Sequence, residues 1–303
     1  MRIAVTGREG QVVSCLIEAA AGRPDVDVVA LGRPELDLAQ PASISAMIAA
    51  AAPDLVVSAA AYTAVDQAED ERDLAYAVNS DGAGAVAAAA AALDVPVIHL
   101  STDYVFAGDL DRAYVETDPT GPTGVYGASK LAGEKAVAAA NPHHLILRTA
   151  WVYSAYGKNF LKTMLRLAET RDELGVVADQ WGNPTSAHDI AYGILQIAGR
   201  LDADREFDGW GIYHLAGTGE TNWSGFARYI LETGGKRGGP HTRVKDIATA
   251  DYPTKARRPT NSRLDTSKLA ARFQWSCRPW QDATNDVIAR VAGGVGAASQ
   301  AGR

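Results

Sequence analysis

Short β-branched runs alternate with longer stretches of helical periodicity through the first half of the chain. Residues 2–6, 26–31, 54–58, 95–100 and 144–149 read as strands, and the segments between them are alanine-rich or amphipathic. Strand and helix in this rhythm predict an α/β fold built on a doubly wound parallel sheet, with right-handed crossovers and ligands at the carboxyl ends of the strands. The chemistry is therefore expected just after each strand. Residues 82–93 are mostly alanine and stop at Asp94, too short and too weakly apolar to cross a bilayer, so they predict a tightly packed helix. After Trp151 the rhythm changes to a helix over 159–170, a short strand over 174–177, a Gly/Pro turn over 181–185 and a helix over 188–199. Beyond Ile212 the segments are short and mixed, and the Gly/Ala/Ser-rich stretch 291–303 is expected to be a flexible tail.

Charge narrows the function classes. Lys plus Arg is 29 and Asp plus Glu is 36, giving 29 − 36 = −7, which argues against nucleic acid or an anionic membrane as partner. Any phosphate must meet a local basic patch. From Arg243 to Arg278 nine Lys/Arg face three Asp, a local +6 in a remainder of −13. That segment is either a solvated surface loop or a phosphate site, with Arg258, ahead of the rigid Pro259, as the candidate for a substrate pyrophosphate. Two cysteines, Cys15 and Cys277, cannot form a disulfide framework and suit a reducing compartment, and no basic-then-apolar leader opens the chain. A cytoplasmic location is expected.

Residues 6–13, TGREGQVV, follow the first strand and open the first helix. Gly7 can turn tightly, and Gly10 lets backbone N–H groups approach a pyrophosphate on the positive end of the helix. Glycine suits any such turn, but this position at the head of a βαβ unit points to a dinucleotide. The usual last glycine is replaced by Val13, which is expected to hold the helix slightly farther from the sheet. The second strand ends in Leu31-Gly32-Arg33 with no acid to accept a ribose 2′-OH, so Arg33 is expected to pair with a 2′-phosphate and NADPH to serve at least as well as NADH. The third strand runs into SAAAYTAVD, residues 58–66, whose small residues suit a dinucleotide lying flat or a closely packed helix.

In VYGASKLAGE, residues 125–134, Tyr126 and Lys130 are four apart and project from one helix face. A phenol near a fixed ammonium has its phenolate stabilised and becomes a better proton donor to a nascent alkoxide. Thr102, at the end of the fourth strand, can reach the same carbonyl.

The strand-end hydroxyl, the YxxxK helix and the N-terminal GxxG resemble the extended short-chain dehydrogenases/reductases. Eight strings in order, GxxGQV, AAYTAVDxAE, STDYVFxG, GVYGxSKLAGE, RTAWVY, NF..TMLRLA, DQxGxPT and ARRPxNSRLDTxKL, resemble the dTDP-4-dehydrorhamnose reductase family over nearly the whole chain to about Trp280. The resemblance implies a Rossmann dinucleotide-binding domain over 1–150 and a smaller, mainly nucleotide-sugar-binding region over 151–290, some of whose elements return to the core. It implies hydride transfer from NADPH or NADH to the C4 ketone of dTDP-4-dehydro-L-rhamnose, giving dTDP-L-rhamnose for surface polysaccharide. Tyr126 would then protonate O4, Lys130 would hold the nicotinamide ribose and lower the Tyr126 pKa, and Thr102 would bond the reacting oxygen. Asp103, Val65 and Trp151 match sugar-pocket positions. Gly10, Gln11, Val12, Asp37, Leu38, Ala61, Tyr62, Thr63 and Leu100 match cofactor contacts.

Some members are magnesium-linked dimers through glutamates, and Cys15 and His188 stand where two of those carboxylates are sought. Thiol and imidazole are poor ligands for a hard cation, so no metal site is expected and the chain is a monomer or homodimer. Two rival readings use the same fold. A nucleotide-sugar dehydratase or epimerase is disfavoured because Asp103 is followed by Tyr104 rather than a second acid. A non-catalytic cofactor-binding regulatory subunit would not need Thr102, Tyr126 and Lys130 together.

Overall fold

The computed structural model describes residues 1–294. The described residues form twelve strands: β1 (Arg2–Thr6), β2 (Asp27–Leu31), β3 (Leu55–Ser58), β4 (Val97–Thr102), β5 (His144–Thr149), β6 (Val152–Tyr153), β7 (Glu173–Val177), β8 (Trp181–Gly182), β9 (Thr185–Ser186), β10 (Gly211–His214), β11 (Thr221–Asn222) and β12 (Arg243–Ile247). Six of them make one parallel sheet in the order β10-β5-β4-β3-β1-β2, and the others pair off as β6 with β9, β7 with β12 and β8 with β11. Alternate side chains of the central strands enter two separate cores. Val5, Ile98 and Leu147 pack under α1 (Gln11–Ala20) and α7 (Ala187–Ala203), while Ala4, Val56 and Ile146 pack with α2 (Ile44–Ala51), α4 (Ala83–Ala92) and α5 (Val125–Ala140).

Three sequence expectations change. The alanine helix is the last part of a longer helical run, α3 (Arg72–Tyr76), a π-helical segment Ala77–Gly82, then α4. Polar residues 79–82 interrupt the apolar pattern there and conceal the continuity. Strand β4 extends through Ser101 and Thr102, which pair with Arg148 and Thr149. The strand outlasts its apolar run because Ser101 Oγ donates to the buried Glu134 carboxylate at 2.6 Å. Finally, Val291 and Ala292 close helix α10 (Trp280–Ala292), so the proposed tail begins inside a helix, and residues 295–303 lie outside the described residues.

Chain after Trp151 contributes β10 to the sheet edge and α7 to the face beside α1. The remainder builds a second core, in which Leu161 and Met164 of α6 (Phe160–Ala168), Phe226 and Ile230 of α8 (Trp223–Gly235) and Trp280 and Ile288 of α10 meet. A short helix, α9 (Ser267–Phe273), packs on the sheet core through Leu269 and Phe273. The basic segment 243–278 is largely neutralised by acids from elsewhere: Arg243 pairs with Glu173, Lys255 with Asp70, Arg258 with Asp66, Arg263 with Glu220, Arg272 with Asp208 and Arg278 with Asp189.

Among the described residues one ion pair is fully interior. Arg148 of β5 donates from Nε to Glu134 Oε1 at 2.9 Å and from Nη2 to Oε2 at 2.7 Å, and neither side chain is more than 3% exposed. The guanidinium also lies 4.9 Å from the Phe106 ring centroid. Two charges in an apolar interior are tolerated only as a bonded pair, so removing one partner strands the other. Arg148→Met is expected to lower the unfolding free energy by about 3–5 kcal/mol, with much of it recovered in Arg148→Met/Glu134→Leu. Urea unfolding of both proteins checks this, and a single-variant loss below about 1 kcal/mol would contradict it.

Candidate active site

The carboxyl end of β4 carries Thr102 and Asp103, and helix α5 brings Tyr126 and Lys130 against it. Closeness is set by Gly127: a Cβ there would stand 2.1 Å from the Tyr104 carbonyl oxygen, so only glycine lets the helix approach this loop. Glu69 caps the helix from outside, accepting from the Val125 N–H at 2.8 Å. Thr102 Oγ1 donates to Asp103 Oδ1 at 2.8 Å and lies within hydrogen-bond reach of the Tyr126 phenol. The three side chains thus converge.

Burial dominates their protonation. It raises the Tyr126 phenol above its ordinary value, with the Asp103 charge and Tyr104 adding to the rise. The expectation that Lys130 lowers this phenol does not hold here, because the ammonium turns to the Leu100 carbonyl at 2.7 Å and to His99 Nε2 at 3.3 Å. Lys130 itself is pushed down to about 8 by burial, against the raising influence of Glu134. Asp103 is pushed up to about 6 by burial, opposed by hydrogen bonds from Thr102 and Ser262, and its Oδ2 has no partner. A protonated phenol, a hydroxyl and an unsatisfied carboxylate oxygen at one strand end can give a proton to an oxygen and hold a polyol beside it.

A cleft of about 660 Å³ opens beyond β1 and β2, lined by Gly7, Arg33, Asp37, Leu38, Ala61 and Tyr62 among others. Gly7 adopts φ +103°, a conformation that favours glycine, and a Cβ there would stand 3.3 Å from Val13 Cγ2. Val13 is fully buried in the core, where it fills the space beside Gly7. Arg33 is exposed at the rim with no carboxylate partner among the described residues, whereas Arg8, also on the lining, pairs with Glu35 at 2.6 Å. A glycine turn, small residues and a free cation fit a dinucleotide carrying an extra phosphate. Other expected cofactor residues lie off this lining. The Gln11 side chain is held by Ser154 and Asn159 at 2.9 Å each, Val12 packs on the core, Thr63 is exposed, and Leu100 offers its carbonyl to Lys130. Gly10 N-caps α1.

On the opposite side, Trp151 adopts φ +50°, stacks on Trp223 at 3.6 Å and donates from Nε1 to Ser262 Oγ at 3.0 Å. Much of its surface is packing, although the residue remains half-buried. Val65 is half-buried beside Asp66. Arg258 donates to Asp66 Oδ2 at 2.6 Å and to the Tyr104 hydroxyl at 3.1 Å, and the Tyr104 ring meets Tyr126 edge-on at 5.6 Å. The segment expected to meet phosphate therefore reaches the site, but already engaged. Sequence reasoning missed Ser262 and Asn79, and it used Tyr104 only as the residue that breaks the acid pair of a dehydratase. Asn79 clamps the Tyr62 backbone, accepting at 2.8 Å and donating at 3.0 Å; a polar residue inside an apolar helical run was its only signal.

Comparison with known proteins agrees with this geometry. The family model described as the RmlD substrate binding domain matches residues 1–292. A dTDP-4-dehydrorhamnose reductase of Sinorhizobium fredii is 54% identical over 288 residues, 95% of this chain and 97% of that protein. The crystal structure of a dTDP-4-dehydrorhamnose reductase from Clostridium acetobutylicum superposes with TM-score 0.89 at 34% identity, covering 96% of this chain and 100% of that one. One from Bacillus anthracis, in complex with NADP, gives 0.87 at 33% identity, covering 95% and 99%.

Asp103 generates a test of sign. Its folded pKa lies above the ordinary carboxylate value, so the stability it contributes is present below about pH 4 and is lost as pH rises through about 6. Asp103→Asn cannot ionise. Its stability relative to the wild type is expected to improve between pH 4 and pH 7 by up to about 3 kcal/mol, read from urea unfolding at each pH. A difference independent of pH would contradict the burial argument.

Proposed function

The chain belongs to the dTDP-4-dehydrorhamnose reductase family, and we propose that Thr102, Tyr126 and Lys130 carry its reduction of the dTDP-4-dehydro-L-rhamnose C4 ketone. It is an NAD(P)H-dependent oxidoreductase of dTDP-rhamnose synthesis. The observation that carries the assignment of residues is the convergence of Thr102, Asp103 and Tyr126 at the end of β4, beside the glycine-turn cleft.

Bound in that cleft, a reduced nicotinamide supplies the hydride that reaches C4. Tyr126, kept protonated by burial, gives its proton to O4, so that hydride plus proton complete the alcohol. Thr102 orients O4. Lys130 meets the nicotinamide ribose, Asp103 Oδ2 accepts from a sugar hydroxyl, and Val65 and Trp151 border the ring. Arg258 serves the pyrophosphate from its place between Asp66 and Tyr104. Tyr104 occupies the position where a dehydratase would place its second acid, and its hydroxyl is taken by Arg258, which supports simple reduction.

Gly7, Gly10, Gln11 and Val12 form the turn for the cofactor's pyrophosphate, and Asp37, Leu38, Ala61, Tyr62 and Thr63 surround its adenosine half. Arg33 pairs with the 2′-phosphate, so NADPH is preferred while NADH is still accepted. The reading includes no magnesium link: Cys15 is fully buried with Sγ 3.5 Å from His188 Nδ1, and His188 Nε2 is 3.0 Å from Glu18. Monomer or homodimer, the chain works in the cytosol, where its two free, buried cysteines stay reduced. Among the described residues no helix is long and apolar enough to cross a membrane.

Tyr126→Phe is expected to lower turnover of the ketosugar nucleotide by about 10² to 10⁴ while NADPH affinity stays nearly unchanged. Wild-type turnover in this variant would remove the proposed acid. Arg33→Ala is expected to weaken NADPH by about tenfold to a hundredfold and leave NADH unmoved. The measurement is steady-state kcat/KM with each cofactor, and equal losses for both would return Arg33 to an ordinary surface arginine.

A further inference from the structure

His99 sits in the middle of β4, and the reduction as described makes no use of it. Its side chain is 1% exposed, Nε2 lies 3.3 Å from Lys130 Nζ, and Nδ1 lies 3.1 Å from Ser58 Oγ on β3. An ammonium has three hydrogens and no lone pair, so in this contact Nε2 must be the acceptor. Burial, with the Lys130 charge added, holds the imidazole well below its ordinary value, so the ring carries a single proton. With Nε2 accepting, that proton is on Nδ1 and is donated to Ser58. On the same face of the sheet the flanking strand positions Val97 and Val56 are buried apolar core, so His99 and Ser58 meet each other there in apolar surroundings.

We propose that His99 is a positioning residue for Lys130, a neutral Nδ1–H imidazole anchored on Ser58 that accepts one Nζ hydrogen and keeps the ammonium charged and aimed. The donor count supports this. One Nζ hydrogen goes to the Leu100 carbonyl and one to His99, which leaves a single N–H for the cofactor ribose in a defined direction. The proposal rests on the reading above that Lys130 meets the cofactor. Few other groups face this ammonium. Glu134 lies one turn along α5 and is held by Arg148 from β5 and Ser101 from β4; Tyr126 lies one turn back, with Thr102 and Asp103 beyond it. Glu134 favours the charged form and burial opposes it, so an acceptor at Nε2 sets how far the balance falls.

Two measurements test this. Nitrogen-15 spectra of the imidazoles, with the His99 signals assigned by their absence in His99→Gln, are expected to show a protonated Nδ1 and a bare Nε2 from pH 6 to 9. NADPH affinity by fluorescence titration and kcat are then followed against pH. In His99→Leu the upper limb of both is expected to move down by about one unit or more, because a hydrogen bond to the charged form is lost. In His99→Gln, whose amide oxygen can reach the Nε2 position, both limbs stay near the wild type. A protonated Nε2, or an unmoved limb in folded His99→Leu, overturns the proposal. If His99→Leu does not fold, His99→Asn, too short to reach Nζ, takes its place against His99→Gln. Failure here would leave Tyr126→Phe inactive, whereas failure of the reductase assignment would show as turnover retained in Tyr126→Phe, so the two are told apart.

Discussion

The buried Arg148–Glu134 pair is the constraint on which the site depends. It ties β5 to helix α5, which carries Tyr126 and Lys130, through two parallel hydrogen bonds, and Ser101 adds β4 to the same carboxylate. Apolar contacts alone would tolerate small slides of α5 along the sheet, since Val137 and the alanines around it offer no direction. A bidentate pair does not, because each displacement strands a charge in a medium that cannot solvate it. Glu134 lies one turn beyond Lys130, which lies one turn beyond Tyr126, so fixing the carboxylate fixes all three on one face. The close approach at Gly127 then sets how far the phenol stands from Thr102.

Within that frame a single physical cause acts on Tyr126, Asp103 and Lys130. Burial raises Tyr126, raises Asp103 and lowers Lys130, so each is driven toward its uncharged form. For the acid role proposed for Tyr126 this is the useful direction, since a phenol held protonated can give its proton to an alkoxide. For Lys130 it is a liability. An ammonium proposed to meet a ribose must stay charged, and its hydrogen bonds to the Leu100 carbonyl and His99 oppose the loss of its proton.

Local patterns were legible in the sequence and long-range ones were not. The first five strands, the glycine turn and the Tyr126–Lys130 spacing depend on residues close in sequence, and period and turn chemistry reveal them. Helix α7 is legible as a helix over 188–199, but its return and that of strand β10 to the sheet are implied only by the family resemblance, because no local signal marks them. Trp151 was placed by its strand-end position, yet its stack on Trp223 and its bond to Ser262 come from residues more than 70 and 110 positions away. Asn79 was hidden for a related reason, since the π-helical turn that carries it breaks the period by which helices are recognised.

The basic segment shows why charge arithmetic misleads about phosphate. A local excess of +6 suggested a patch, but the count is blind to partners supplied by a chain whose remainder is −13. Folding brings six acids to six of the nine cations; Asp66 and Asp70 come from the first 150 residues, and the other four come from the chain after Trp151. Arg258 differs from the others by where it is held. One of its nitrogens lies on Asp66 and the other on Tyr104, whose ring meets the Tyr126 phenol edge-on. A cation already satisfied by a half-exposed carboxylate can exchange that partner for a phosphate oxygen at small net cost, because both are anions in similar solvent. Specificity for a phosphorylated sugar thus needs no free positive surface, which is how an acidic protein can recognise an anionic substrate without attracting nucleic acid.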